Sequence, residues 1–184
     1  TLNGKSLDVD LINGKDLCLE KEWQKGDEIV LNGPMKLSQT IWQVNQDSRS
    51  IHYGPLTFSL KIAEDYQMVS STQTAIGDSK WQKKADPTKW PTFEIHPASP
   101  WNYALVIDDN RPLEDNFKVV KKEWPADNFP FTLQNEPIEI KAKGKKLLTW
   151  KIDQYGLCSE LPIKENRKFE TTTEEITLIP MGSA

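Results

Sequence analysis

Ser50-Ile-His-Tyr-Gly-Pro-Leu-Thr-Phe-Ser-Leu-Lys-Ile62 decides the fold class of this chain. It is a strand-like apolar run broken by Gly54-Pro55, and a proline at that point implies an edge strand or a bulge. Ile176-Thr-Leu-Ile-Pro-Met-Gly-Ser-Ala184 repeats the pattern, a short apolar run broken by Pro and Gly. Working outward, Leu17 to Trp23 and Asp27 to Asn32 read as two strands of a hairpin joined at Gln24-Lys25-Gly26. Met35 to Asn45 alternates over a longer span, with Met35, Leu37 and Ile41 as inward positions. Further strands are expected at 102–108, 117–123, 137–142, 147–152 and 174–179. Nowhere does an i, i+3, i+4, i+7 apolar pattern persist over three turns. Many short strands separated by turn residues predict an all-β protein, an antiparallel β-sandwich of jelly-roll type.

One stretch breaks the rhythm. Residues 63–91 are polar, contain Ser70-Ser71-Thr72, and carry Trp81 and Trp90 with few aliphatics. The stretch reads as a long loop excursion between strands, with one helical turn near Asp78 to Lys83. Long loops in compact domains are usually functional or docked against something. No internal repeat or low-complexity tract is present. The simplest organisation is one β-sandwich over 1–184, with a subdivision near residue 63 as the alternative.

The bulk properties exclude several functional classes. At 184 residues the chain can bury a real core, and 7 Trp with 6 Phe supply the apolar surface to do it. The net charge of -4 argues against nucleic acid, because a phosphate-binding surface needs a basic excess. Lys83-Lys84, Lys121-Lys122 and Lys143 to Lys146 are short clusters with acidic neighbours, and they read as solvated strand ends. No run of about 18 apolar residues is present, so no membrane span is expected. The two cysteines, Cys18 and Cys158, allow one disulfide, which their wide spacing does not decide; sitting among leucines, they read first as two free, buried thiols.

Several phrases in order carry a family resemblance. They are Leu2-Asn-Gly-Lys5, Trp23-Gln-Lys-Gly-Asp-Glu-Ile-Val30, Gly33-Pro-Met35, Tyr53-Gly-Pro-Leu56, Pro100-Trp-Asn-Tyr-Ala-Leu105 and Leu178-Ile-Pro-Met-Gly182. Taken together they resemble the C-terminal β-sandwich region of glycoside hydrolase family 127, the β-L-arabinofuranosidase family, and of its bacterial relatives. The resemblance implies a catalytic (α/α)6 barrel of the same parent protein as partner, and a periplasmic or secreted location. It also implies a non-catalytic accessory role for this piece, within a parent that is a glycoside hydrolase. In the family a strand precedes the Asn-Gly turn and another follows the Pro-Met-Gly phrase, so a fragment lacking boundary strands is expected. The family's cysteine nucleophile, glutamate acid/base and zinc do not map here. Several thiolates would have to lie within about 2.3 Å of one metal, and Cys18 and Cys158 cannot supply that cluster. The expectation is therefore no catalytic residue, no metal site and no cofactor.

The remaining chemistry-bearing residues support only modest readings. His52 lies in a strand beside Tyr53, and His96 precedes Pro97. A triad of His96, Ser99 and an aspartate lacks any Gly-x-Ser-x-Gly elbow. Adjacent carboxylates such as Asp108-Asp109 point to opposite faces of a strand, and Asp108-Asp-Asn-Arg-Pro112 has the composition of a turn. A structural calcium in that loop would lack the Asp-x-Asp-x-Asp-Gly pattern. Tryptophans are the better lead. Trp81, Trp90, Trp101 and Trp124 lie in or beside loop-like segments, where an indole can stack on a sugar ring or fill the core. Trp101 and Tyr103 alternate onto one inward face, which leaves Trp81 and Trp90 as candidate carbohydrate-binding residues. Two functions follow: an accessory domain packed on a catalytic barrel, or an independent carbohydrate-binding module. Exposed apolar surface left by a missing partner would also favour self-association.

Overall fold

A computed structural model describes residues 1–9, 16–69, 92–154 and 156–183. The contacts divide the chain into two compact units, Thr1–Met35 and Lys36–Ala184.

The first unit carries no regular strand among its described residues. Its framework is a set of local bridges, Leu2 to Lys5 and Leu2 to Ile29. The Asp27 carboxylate accepts the Gln24 backbone N–H at 2.8 Å, the Lys21 ammonium at 2.7 Å and the Asn3 amide at 2.7 Å. These donors, the backbone N–H first, hold Asp27 well below the usual carboxylate range. The hairpin expected over 17–32 therefore reduces to its turn, closed by Asp27 N–H donating to the Gln24 carbonyl. Trp23, Ile29 and Leu31 remain exposed. No described residue of the unit is buried, and alternation without a buried face does not make a sheet.

The second unit is all-β and antiparallel. It contains β1 (Leu37–Trp42), β2 (Ser48–Tyr53), β3 (Leu56–Leu60), β4 (Glu64–Val69), β5 (Thr92–Pro97), β6 (Tyr103–Leu105), β7 (Phe117–Lys121), β8 (Ile138–Lys146) and β9 (Glu174–Pro180). One helical turn, α1 (Leu113–Asn116), precedes β7. Seven strands form one sheet in the order β1-β2-β3-β9-β8, after which the far edge of β8 is shared by β7 and β6. Gly54-Pro55 is the two-residue turn that folds β2 onto β3, pairing Tyr53 with Leu56. Gly54 takes φ 57°, the left-handed conformation that such turns require at their first position. The sequence reading of an interrupted edge strand is thus corrected to a tight hairpin.

Alternation puts one set of side chains on the inner face of this sheet. Ile51, Phe58, Ile140, Ala142, Ile176, Leu178 and Phe117 are all buried there, with Leu37, Tyr53, Leu60, Tyr103 and Leu105 packed around them. The sheet curls until its two ends face each other across that core. Lys121 on β7 lies 5.9 Å from the Tyr53 ring centroid on β2, and Arg49 on β2 reaches Asp109 beyond β6. The packing is that of a sandwich made from one continuous sheet. Gly144 leaves little room for a side chain: a Cβ there would lie 2.8 Å from Ile176 Cδ1 and 3.2 Å from Tyr103 Cδ1.

The excursion expected around 63–91 leaves and returns through a second, two-stranded sheet. β4 pairs with β5 from Glu64↔Pro97 to Val69↔Thr92. Tyr66, Met68, Phe93 and Ile95 share one face of this ribbon, and Asp65, Gln67, Glu94 and His96 share the other. Its apolar side is uncovered, with Met68 70% and Ile95 56% exposed. The strand expected over 147–152 is replaced by a turn and two isolated bridges, Leu147 to Phe169 and Ile152 to Cys158. Asn102 causes the break, since its side-chain amide donates to the carbonyls of Leu147 and Trp150 and holds them in a turn.

Candidate functional site

The curled sheet leaves an opening between β2 and β6, and the irregular segment 147–169 folds across it. The result is a cleft of about 450 Å³. Leu105, Ile107, Leu147 and Leu161 give it an apolar lining, shared with the aromatic rings of Tyr103, Trp150 and Phe169. Its rim is polar, with Asn45, Asp47, Ser48, Arg49 and Arg167. This mixture of apolar lining and a few converging polar groups is that of a small-molecule site.

Each rim residue is held by a specific partner. Arg49 makes a bidentate pair with Asp109 at 2.6 and 2.8 Å, which lowers the Asp109 carboxyl. Arg167 donates through Nε to the Pro162 carbonyl at 2.8 Å and through Nη2 to the Gln46 carbonyl at 2.9 Å. Lys164 pairs with Asp47 and depresses its carboxyl. Gln46 and Asp47 both have φ 56°, and two consecutive non-glycine residues in the left-handed region are uncommon. Arg167 and Lys164 clamp this strained turn from across the sequence. Trp150 is fixed by its indole N–H on the Ser159 carbonyl at 2.9 Å and by edge-to-face packing with Trp101, centroids 5.0 Å apart. At the far end Tyr103 donates to Glu174 at 2.5 Å, and Lys146 stands 3.1 Å from the same carboxylate. Desolvation, reinforced by Glu174, raises the Tyr103 hydroxyl.

On the outer face of β8, a second cluster gathers Glu136 and Glu139 with Lys61, Lys122 and Lys141. Glu136 is 1% exposed and takes Lys61 at 2.5 Å and Lys122 at 2.8 Å, all through Oε1. Glu139 takes Lys122 at 2.8 Å and Lys141 at 3.3 Å. Desolvation would raise Glu139, but the lysine hydrogen bonds outweigh it and bring the carboxyl down to about 2. The arrangement ties β3, β7 and β8 together. Lys122, expected to be a solvated strand end, is instead one of its members.

The sequence-singled residues fall in different places. Trp81 and Trp90 lie outside the described residues. Trp101 is part of the wall supporting Trp150, and Trp124 is exposed with its indole N–H on Asn128 at 2.6 Å. His52 sits between Thr40 and Thr57, each 3.1 Å from one ring nitrogen, as a rung on the outer face of the sheet. His96 lies 3.4 Å from Glu94, while the Ser99 hydroxyl accepts the Ala63 N–H, so those residues form no triad. Cys18 and Cys158 are free, but both are exposed rather than buried. Leu17 and Leu157 beside them are exposed as well. Asp108 closes its own turn, its carboxylate accepting from the Asn110 N–H at 3.0 Å. Among the described residues no group of three His, Cys, Asp or Glu side chains converges as a metal ion would need, and no helix is long and apolar enough to cross a membrane.

Arg49, Tyr103, Trp150 and Arg167 were not singled out by sequence reasoning. Tyr103 was read only as an inward residue, and no local spacing links the four. They meet because β6 pairs with β8 and the segment after β8 returns over β2.

Fold and cleft together define the class, an all-β antiparallel protein with an aromatic cleft at the open seam of a curled sheet. Compared with models of known families, with curated proteins and with solved structures, the chain matches none.

Proposed function

We propose that the chain is a non-catalytic β-domain that docks on the catalytic barrel of a larger glycoside hydrolase resembling family 127. The observation that carries this reading is the β4/β5 ribbon, whose apolar face stands uncovered. Beside it a hollow of about 210 Å³ is lined mainly by apolar residues, Leu60, Ile62, Ile95, Pro97 and Leu133, with Glu64 and His96 as its polar members. Contiguous apolar surface of this kind marks a protein contact more often than a solvent face. In the experiment that tests it, the isolated chain is assayed on aryl arabinofuranosides and run in sedimentation velocity over a wide concentration range. No turnover is expected, and association should grow with concentration and disappear in the Met68→Asp, Ile95→Asp double variant. Turnover by the purified chain, or a wild-type chain that stays monomeric throughout, overturns the proposal.

A second reading, an independent carbohydrate-binding module, draws support from the aromatic cleft rather than from Trp81 and Trp90. Glycan-array binding by the isolated chain separates it from the first.

A further inference from the structure

We infer that the cleft between β2, β6 and the 147–169 segment binds an acidic sugar, with the sugar ring against Trp150 and its carboxylate on Arg167. The inference stands apart from the docking proposal, because the ribbon and the cleft use different residues.

Charge selects the carboxylate. At the turn end of the cleft stand three cations, Arg49, Lys164 and Arg167, and two carboxylates, Asp47 and Asp109. Arg49 and Lys164 each have a carboxylate partner. Arg167 makes no ion pair of its own: its two hydrogen bonds go to backbone carbonyls, which are neutral, and Asp47, already paired with Lys164, acts on it only from a distance. Among the described residues its Nη1 donates to no protein acceptor, and no carboxylate lies within ion-pair distance of the guanidinium. A half-buried guanidinium with one free edge on a cavity is a receptor for a single negative charge.

Shape and the remaining polar groups select a sugar. The volume of about 450 Å³ lies within the range of small-ligand sites. Trp150 cannot swing away, since its indole N–H is fixed on Ser159 and its ring is wedged by Trp101. A ring fixed in this way offers a preorganised face for the apolar side of a pyranose. Asn45 and Ser48 lie on the rim beside it, within 3.1 Å of each other, so hydroxyl groups have partners of both donor and acceptor type. The strained Gln46-Asp47 turn fits the same reading: Arg167 holds it in place, and the turn holds Arg167 at the cleft.

The test uses galacturonic acid disaccharide, its neutral counterpart galactobiose, and phenylacetate, each titrated into the 15N-labelled chain. The acidic disaccharide should shift the Trp150 indole N–H resonance and saturate at millimolar concentration. Galactobiose should bind at least tenfold more weakly, and phenylacetate should leave the resonance unmoved. Arg167→Gln, which can still donate to a carbonyl, should abolish the tenfold preference. Phe169→Ala, which removes another aromatic ring of the lining, should weaken the acidic disaccharide several-fold even if the Arg167 variant fails to fold. Equal binding of the two disaccharides, binding of phenylacetate alone, or no shift of the Trp150 resonance with either sugar overturns the assignment. So does uronide binding that survives both substitutions.

Discussion

The β2/β3 hairpin and the β4/β5 ribbon are built from the same kind of sequence and end in opposite states. Both alternate apolar and polar residues on antiparallel strands. The apolar side of β2/β3 is enclosed because β9, β8 and β7 extend the sheet and curl it back over Ile51 and Phe58. No other described strand continues β4/β5, and Tyr66, Met68, Phe93 and Ile95 stay exposed. An amphipathic strand pair states that one face wants cover, and only topology says whether the same chain supplies it.

The contrast is most open to attack in the core. Ile140 is fully buried at the centre of the inner face, and Ile140→Ala should cost about 3 kcal/mol. Met68→Ala on the ribbon should stay within about 0.5 kcal/mol. Urea midpoints compare the two directly, and equal losses would mean that the ribbon is packed within this chain.

The outer face gives the next largest effect. The folded Glu139 carboxyl titrates at about 2, below its ordinary 4.5. A depressed carboxyl contributes stability that is complete above its unfolded value and lost as the pH falls toward the folded one. The window is therefore from about 4.5 down to about 2. Glu139→Gln should cost about 2 kcal/mol at neutral pH and almost nothing at the acid end of that window. Stability curves of the two proteins that stay parallel across the window would show that the lysines do not favour the charged form.

Gly144 sharpens the comparison at its smallest scale. A methyl group added there meets Ile176 and Tyr103 on the inner face. Gly144→Ala should cost about 1 kcal/mol, because the first contact is the flexible tip of an isoleucine. Thermal unfolding of the variant measures it, and a gain in stability would reveal slack at this point of the core.

Much of the sheet was legible. Phe117 to Lys121 and Glu174 to Pro180 appear where alternation placed them, because each has a neighbour on both the inner face and the backbone ladder. Ile138 starts β8 as expected, but the strand runs on to Lys146 because β6 and β9 keep pairing with it. The ribbon was hidden by its own composition: Glu64, Asp65 and Gln67 made the region look like loop, although Tyr66 and Met68 were already in register. The opposite error arose at Leu17 to Asn32, where alternation was present and no sheet was there to receive it. The cleft was illegible for another reason. Arg49, Tyr103, Trp150 and Arg167 are each ordinary in their local setting, and only the pairing of distant strands gives them a common purpose. Trp150 could have been noticed as a tryptophan close to Asn102, but only after β6 and β8 were known to pair.

The position of β9 has a consequence for the order in which the molecule can be made. β9 is the last of the described strands along the chain, yet it lies between β3 and β8 in the middle of the sheet. As the polypeptide leaves the ribosome, the β1-β2-β3 meander and the later β7-β8 hairpin emerge first, each with an open backbone edge. Neither edge can be sealed until residues 174–180 arrive to be inserted between them. Until then the nascent chain presents two unpaired strands to its neighbours, the condition under which intermolecular pairing competes with folding. The strand that completes the sheet is therefore also the one whose delay exposes the chain to aggregation.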